Sequence, residues 1–199
     1  MSIPDNLKGS IVALSDADAE ARAHAAERIF REGRERAQRA IREWLAHADV
    51  MDLFVCDAQG LPEMTVGIAL HPERFEKIRV AMGGTKLANV PAEHDAQEFE
   101  ARFPGGVALD ILTPRTSNGL GAIAKFLERS GEGIQQVELL CRDVDRATGL
   151  LKKRLGLAPL YAETREGADG TRVNFLLLPV EDESKLLIEL VQPEHKPRP

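Results

Sequence analysis

The stretch Leu186-Leu187-Ile188-Glu189-Leu190-Val191-Gln192 decides the fold, because it closes a β-α-β-β-β pattern that begins near residue 133. Side chains alternate across a strand, so Glu189 stands on the opposite face from Ile188 and Leu190. An ionised carboxylate inside an apolar strand is costly to bury without a partner or a chemical role. Working back from it, residues 134–141 read as a strand and 144–155 as a helix stopped by Gly156. Residues 160–164, 171–178 and 185–191 complete the unit as strands, with Gly167, Gly170 and Pro179 in the turns.

The same order occurs once before. Residues 65–70 read as a strand and 72–82 as a helix with Pro72 in its first turn. Strands follow at 86–91, 97–103 and 107–112, the last two joined through Pro104-Gly105-Gly106. A short helix over 122–129, stopped by Ser130-Gly131, links the two units. Such a tandem pair predicts an α+β fold in which both units join one curved mixed sheet, with helices outside and a cleft inside. The domain reading is a helical extension over 1–62, a sheet domain over 63–193 and a solvated tail over 194–199. Within the sheet domain the modules are 63–114 and 133–192, with 115–132 as linker.

Ser15-Asp16, followed by Asp18 and Glu20, starts a helix that should run to about His47. Ala19, Ala23, Ala26, Phe30, Gly33, Ala37, Ala40 or Ile41, and Trp44 make a narrow stripe of mostly small residues along it. The stripe should be covered, either by this chain's own sheet or by another subunit, with Phe30 and Trp44 as anchors. After it, 51–56 reads as a short apolar strand broken by Ala58-Gln59-Gly60-Leu61-Pro62.

With 43% apolar and 29% charged residues and a net charge of -6, the chain suits neither a disordered segment nor a phosphate-backbone binder. No apolar run is long enough to span a bilayer, and the N-terminus lacks a secretion-signal pattern. A cytoplasmic protein with no nucleic-acid or membrane partner is therefore expected. Cys56 and Cys141, without metal-ligand spacing, read as small buried hydrophobes. His71 and His94 read as solvated loop residues, and Gly83-Gly84 and Gly119 to Gly121 as turn glycines without phosphate-loop spacing.

Alternation selects the residues facing the cleft. Val66, Ile68 and Leu70 form a helix-side face and leave Thr65, Gly67 and Ala69 opposite. Val137, Leu139 and Cys141 leave Gln136, Glu138 and Leu140; Leu109 and Ile111 leave Asp110; Ile188 and Leu190 leave Glu189. Three carboxylates on one surface should raise at least one pKa, as acid–base sites require. An ion-pair network, with Arg172 holding Asp110 or Glu189, reads the same way in sequence.

The run Gly131-Glu132-Gly133-Ile134-Gln135-Gln136-Val137-Glu138, the strand Thr171-Arg172-Val173-Asn174-Phe175 and the ending Leu187-Ile188-Glu189-Leu190 resemble the second module of methylmalonyl-CoA epimerases, members of the vicinal oxygen chelate (glyoxalase-like) superfamily. Asp110-Ile111-Leu112-Thr113-Pro114 and Ala122-Ile123-Ala124-Lys125-Phe126-Leu127-Glu128 resemble the family's fourth strand and linking helix. The resemblance covers residues 64–192. It implies a divalent metal held from the first and last strands of each module, which places the ligands at Thr65, Asp110, Gln136 and Glu189. The family's two histidines are replaced, by Thr65 and within Gln135-Gln136. Threonine and glutamine are poor ligands for zinc or cobalt. The oxygen-only set suits at most a weakly held magnesium, manganese or calcium ion, so no cofactor is otherwise expected.

The resemblance also implies a homodimer that takes a small acyl metabolite such as a CoA thioester. If catalytic, the protein would be an isomerase or lyase acting by proton abstraction alpha to a carbonyl. Glu189 would be the base, Asp110 or Glu138 the second group, and Thr65, Gln136, Arg172 and Asn174 would contact substrate. Two other readings stay open: a ligand-binding module that has lost metal chemistry, and a dimeric scaffold whose N-terminal helix carries the function.

Overall fold

The computed structural model describes residues 5–116, 119–180 and 185–194; the tail expected over 194–199 lies outside them from residue 195. Its helices are α1 (Asp5–Ala13), α2 (Ala19–Ala40), α3 (Ala48–Met51), α4 (Pro72–Ala81), α5 (Ala122–Ser130) and α6 (Val144–Leu155). Its strands are β1 (Met64–Ala69), β2 (Ala96–Phe103), β3 (Val107–Pro114), β4 (Gly133–Leu140), β5 (Arg165–Glu166), β6 (Arg172–Pro179) and β7 (Lys185–Gln192). The fold class is α+β. No helix among the described residues is long and apolar enough to cross a membrane.

The chain divides into two compact units, Met1–Arg34 with Thr65–Gln136, and Glu35–Met64 with Val137–Pro199. The N-terminal segment is thus shared: α1 and most of α2 belong to the first unit, and residues 35–64 to the second. In the first unit the strand order is β2-β3-β1 and then the start of β4. Strand β3 is parallel to β1 and antiparallel to β2, so the sheet is mixed. In the second unit the end of β4 is followed by β7, β6 and β5, with β6 antiparallel to both neighbours.

Each unit is sealed on one face of its strands. In the first, Val66 and Ile68 pair with Leu109 and Ile111, all fully buried, and Phe75 of α4 meets Phe99 of β2 edge-on at 5.2 Å. Here α2 lies so close to β1 that a Cβ on Gly33 would stand 2.5 Å from a methyl of Val66. In the second, Leu186, Ile188 and Leu190 share a face with Asn174, Leu176 and Leu178, and α6 packs on β6 and β7 through its buried Val144, Ala147 and Leu151. The α6 N-terminus is capped by the Asp143 carboxylate, which accepts from the Arg146 N–H at 3.0 Å.

Several elements differ from the sequence expectation. Helix α1 has no counterpart in that expectation, being short and carrying Gly9, although Leu7, Ile11 and Leu14 have helical spacing and are buried. Helix α2 ends at Ala40 rather than near His47, and a 3-10 turn over Trp44–Ala46 and α3 follow. Its buried stripe runs Ala26, Ile29, Gly33, Ala37 and then Ile41, so Ile29 takes the place read for Phe30, which is only half-buried. Trp44 is buried and stacks on Phe54 at 6.0 Å.

Residues 51–56 form no strand; only isolated bridges join Phe54 to Cys141 and Cys56 to Pro62. Residues 86–91 also stay irregular, tied to β2 by the Ala88 N–H donating to the Glu98 carbonyl. Residues 160–164 bend away after the Leu160 N–H donates to Phe175, and the strand forms one step later as β5. Short apolar runs without an extended ladder partner cannot hold strand geometry.

The Gly33 contact makes a definite prediction. Gly33→Ala gains about 1 kcal/mol of helix propensity but overpacks a stiff, buried valine, which costs about 1–3 kcal/mol. The variant should melt below the wild type, whereas the same change in a Val66→Ala background should be neutral or stabilising. Equal effects of Gly33→Ala in both backgrounds would show that the contact is loose.

Candidate functional site

The expected site residues fall into two groups. Thr65, Asp110 and Gln136 belong to the first unit; Glu138, Arg172, Asn174 and Glu189 belong to the second. In the first unit Asp110 is register partner of Gly67, and partners across a ladder share a face. A Cβ on Gly67 would stand 2.6 Å from Gln136 Cγ and 3.1 Å from Leu112 Cδ1. Asp110, Gly67 and Gln136 therefore form a row across β3, β1 and β4, with Gln136 lying over the bare glycine. Thr65, two residues before Gly67, stands on the same face and is half-buried, while Asp110 and Gln136 are buried. Asp110 is also register partner of Glu100 on β2, itself ion-paired with Arg102. Gln135 turns to the helix-side face, where its Oε1 is buried without a hydrogen-bond partner among the described residues.

In the second unit Glu189 is only 9% exposed. Its register partner is Phe175, and Val173 with Val191 and Leu177 with Leu187 flank that pair on the same face. On the β6 side the carboxylate is therefore flanked by apolar side chains. Glu138 stands half-buried on β4, on the side away from the fully buried Val137 and Leu139.

Arg172 and Asn174 are not on that surface. The register pairs Arg172 with Gln192 and Asn174 with Leu190, which places both on the helix-side face of β6, opposite to Glu189. Arg172 accordingly holds no site carboxylate; its Nη2 donates to Asp145 Oδ2 at 2.5 Å and to Thr164 Oγ1 at 2.8 Å. The Asp145 carboxyl is held below its ordinary range, first by the Thr164 hydroxyl and then by Arg172. Asn174, 1% exposed, donates through Nδ2 to the Tyr161 carbonyl and accepts from the Phe175 N–H, so its amide is spent on the backbone. Alternation sorts residues within a strand, but only the β6–β7 pairing fixes which face of β6 matches which face of β7.

The same pairing brings forward residues the sequence reading passed over. Phe175 lies beside Glu189, and the Tyr161 ring meets Phe175 edge-on at 5.9 Å. Arg165 lies over the Tyr161 ring, its Cζ 3.6 Å from the ring centre. A β6–β7 hairpin register, had it been legible, would have been the signal for them.

The donor chemistry does not fit zinc or cobalt. Thr65, Asp110 and Gln136 offer a hydroxyl, a carboxylate and an amide, with no imidazole or thiolate. No three His, Cys, Asp or Glu side chains come together as metal ligands among the described residues. The thiols are no substitute: burial pushes Cys141 up to about 12 and also raises Cys56, and both are free.

No protein-family model matches this sequence, and no curated protein does. Solved structures do. Methylmalonyl-CoA epimerase from Mycobacterium tuberculosis matches at 28% identity and TM-score 0.52, over 65% of this chain and 85% of that one. A variant Streptomyces coelicolor methylmalonyl-CoA epimerase in complex with 2-nitronate-propionyl-CoA matches at 27% and 0.53, over 74% and 99%. A methylmalonyl-CoA epimerase in complex with methylmalonyl-CoA and NH4+ matches at 27% and 0.53, over 69% and 98%. The structural neighbours of this chain are methylmalonyl-CoA epimerases of the vicinal oxygen chelate superfamily. The glyoxalase-like fold is shared with them, and between a quarter and about a third of this chain lies outside each match.

The epimerase-like fold combined with this donor set predicts that dialysed protein carries no stoichiometric zinc or cobalt by elemental analysis. Metal retained through dialysis and then lost on Glu189→Ala would show that the oxygen donors bind far better than their chemistry suggests.

Proposed function

We propose that this protein binds a small acyl thioester, of the CoA kind, and that Glu189 removes the proton alpha to the thioester carbonyl. The supporting observation is a carboxylate 9% exposed in the middle of an apolar strand face, beside Phe175. The fold adds to it, because solved neighbours hold methylmalonyl-CoA or a nitronate analogue of an acyl-CoA. A carboxylate facing the ligand side of the sheet is the group type that takes a carbon-bound proton. Asp110 and Glu138 are the candidates for the second proton-carrying group, and Thr65 and Gln136 for polar contacts to the ligand. The reaction class is isomerase or lyase, no step is routed through a metal, and a cytoplasmic homodimer is the assembly this reading entails.

A second reading, a ligand-binding protein without turnover, is favoured by one observation: neither position of the family's two histidines carries an imidazole. A weakly held magnesium, manganese or calcium ion on Asp110 belongs to either reading. The scaffold reading draws on the buried Trp44 and Phe54 pair that anchors the segment after α2.

Glu189→Gln separates these readings, since it keeps shape and hydrogen bonding while removing the charge. Wild-type protein should exchange the alpha proton of methylmalonyl-CoA or propionyl-CoA in deuterated water, followed by mass spectrometry. The variant should lose exchange by at least about 100-fold with an unchanged or raised thermal midpoint. Binding without exchange in the wild type would favour the second reading. Unfolding of Glu189→Gln with ligand binding intact in the surviving protein would make Glu189 a structural residue.

A further inference from the structure

We infer that Arg165 is an anion-recognition residue at the edge of the Glu189-bearing sheet face, taking a phosphate or carboxylate that the ligand carries well away from its reacting carbon. The inference rests on the acyl-thioester reading above for the identity of the ligand, but its geometry stands on the second unit alone.

Register puts Arg165 on the right surface. Arg165 pairs with Val173, Val173 with Val191, and Phe175 with Glu189, and ladder partners share a face. Arg165 and Glu189 therefore share one face, while Arg172, the arginine nearer Glu189 in sequence, is on the other. The side chains are also joined by contact: Arg165 lies on Tyr161 at 3.6 Å, Tyr161 meets Phe175 at 5.9 Å, and Phe175 stands beside Glu189.

The guanidinium is held but, among the described residues, not used. Arg165 makes no hydrogen bond or ion pair with any described residue, although Glu163 and Glu166 are two and one residues away along the chain. Other arginines of this unit are committed: Arg154 to Asp49, Arg172 to Asp145 and Thr164, and Arg142 to the Phe54 carbonyl. Stacking on an aromatic ring fixes the plane of a guanidinium and leaves its N–H donors pointing outward at the edges. Those donors match two oxygens of a phosphate or carboxylate, and fixing them beforehand lowers the entropy lost on binding.

Distance narrows the anion. Arg165 and Glu189 are two strand spacings and two residues apart, or about 12 Å from backbone to backbone. The rings of Tyr161 and Phe175 stand between the guanidinium and Glu189, so an anion on the reacting carbon itself would not meet it. The anion is therefore a phosphate at the end of a carrier arm, or the terminal carboxylate of a longer acyl chain.

Calorimetry on the full chain tests this with propionyl-CoA, propionyl-pantetheine, which has the same acyl group and no phosphate, and glutaryl-pantetheine, which adds only a terminal carboxylate. The wild type should bind one anionic ligand about tenfold more tightly than propionyl-pantetheine. Propionyl-CoA in that place identifies a phosphate, and glutaryl-pantetheine a carboxylate. Arg165→Gln should erase that preference and leave propionyl-pantetheine binding unchanged, and Arg165→Lys should restore part of it. A preference that survives Arg165→Gln, or an equal loss for all three ligands, overturns the assignment while the Glu189 reading stands. If no thioester binds the wild type, the Glu189 reading fails. Pyrophosphate and glutarate alone then decide Arg165: anion binding abolished by Arg165→Gln supports it, and no binding, or binding indifferent to the change, overturns it.

Discussion

A strand has two faces and each must find its own environment; in this protein nearly everything follows from that constraint. Burying a leucine or isoleucine side chain contributes about 1.5–3 kcal/mol, so Val66, Ile68, Leu109, Ile111, Leu186, Ile188 and Leu190 settle which face receives the helices. A slip of one residue would put the whole set on the wrong side. Once that face is sealed, the alternate positions are excluded from it, and the carboxylates at 110 and 189 are carried to the other side without any local signal of their own.

The two faces treat polar residues differently. On the helix side of the second unit, Asn174 is tolerated because both ends of its amide meet backbone groups, which removes most of the cost of burying them. On the other side, Glu189 is set among valine, leucine and phenylalanine side chains. Burial alone does not distinguish the two positions, since Asn174 is the more buried; the face does.

The solved epimerases account for about two thirds to three quarters of this chain while being covered over most of their own length. The segment before β1 is packed into the fold. Gly33 brings α2 onto Val66 in the first unit. In the second, residues 53–63 hydrogen-bond to the end of β4, with the Val55 N–H donating to Leu140 and the Leu140 N–H to Glu63. The early part of this chain is therefore a structural element of both units.

The sequence by itself determined what depends on neighbours within one element. The alternation in β4 and β7, the Asp143 cap and Gly156 stop of α6, and the carboxylate inside an apolar strand are all local patterns, and they located β4, α6 and β7 closely. That Thr65 and Gln136 offer oxygen donors and no imidazole is likewise a matter of residue type. Tertiary structure decided whatever depends on pairing between segments far apart in sequence. The β6–β7 register sent Arg172 and Asn174 to the helix side and brought Phe175 to Glu189. The lack of a ladder partner left 86–91 and 160–164 irregular and moved a strand to Arg165–Glu166. The physical reason is that alternation has period two and carries no information about which residue lies opposite; that is fixed only when two strands align their hydrogen bonds and seal a common face.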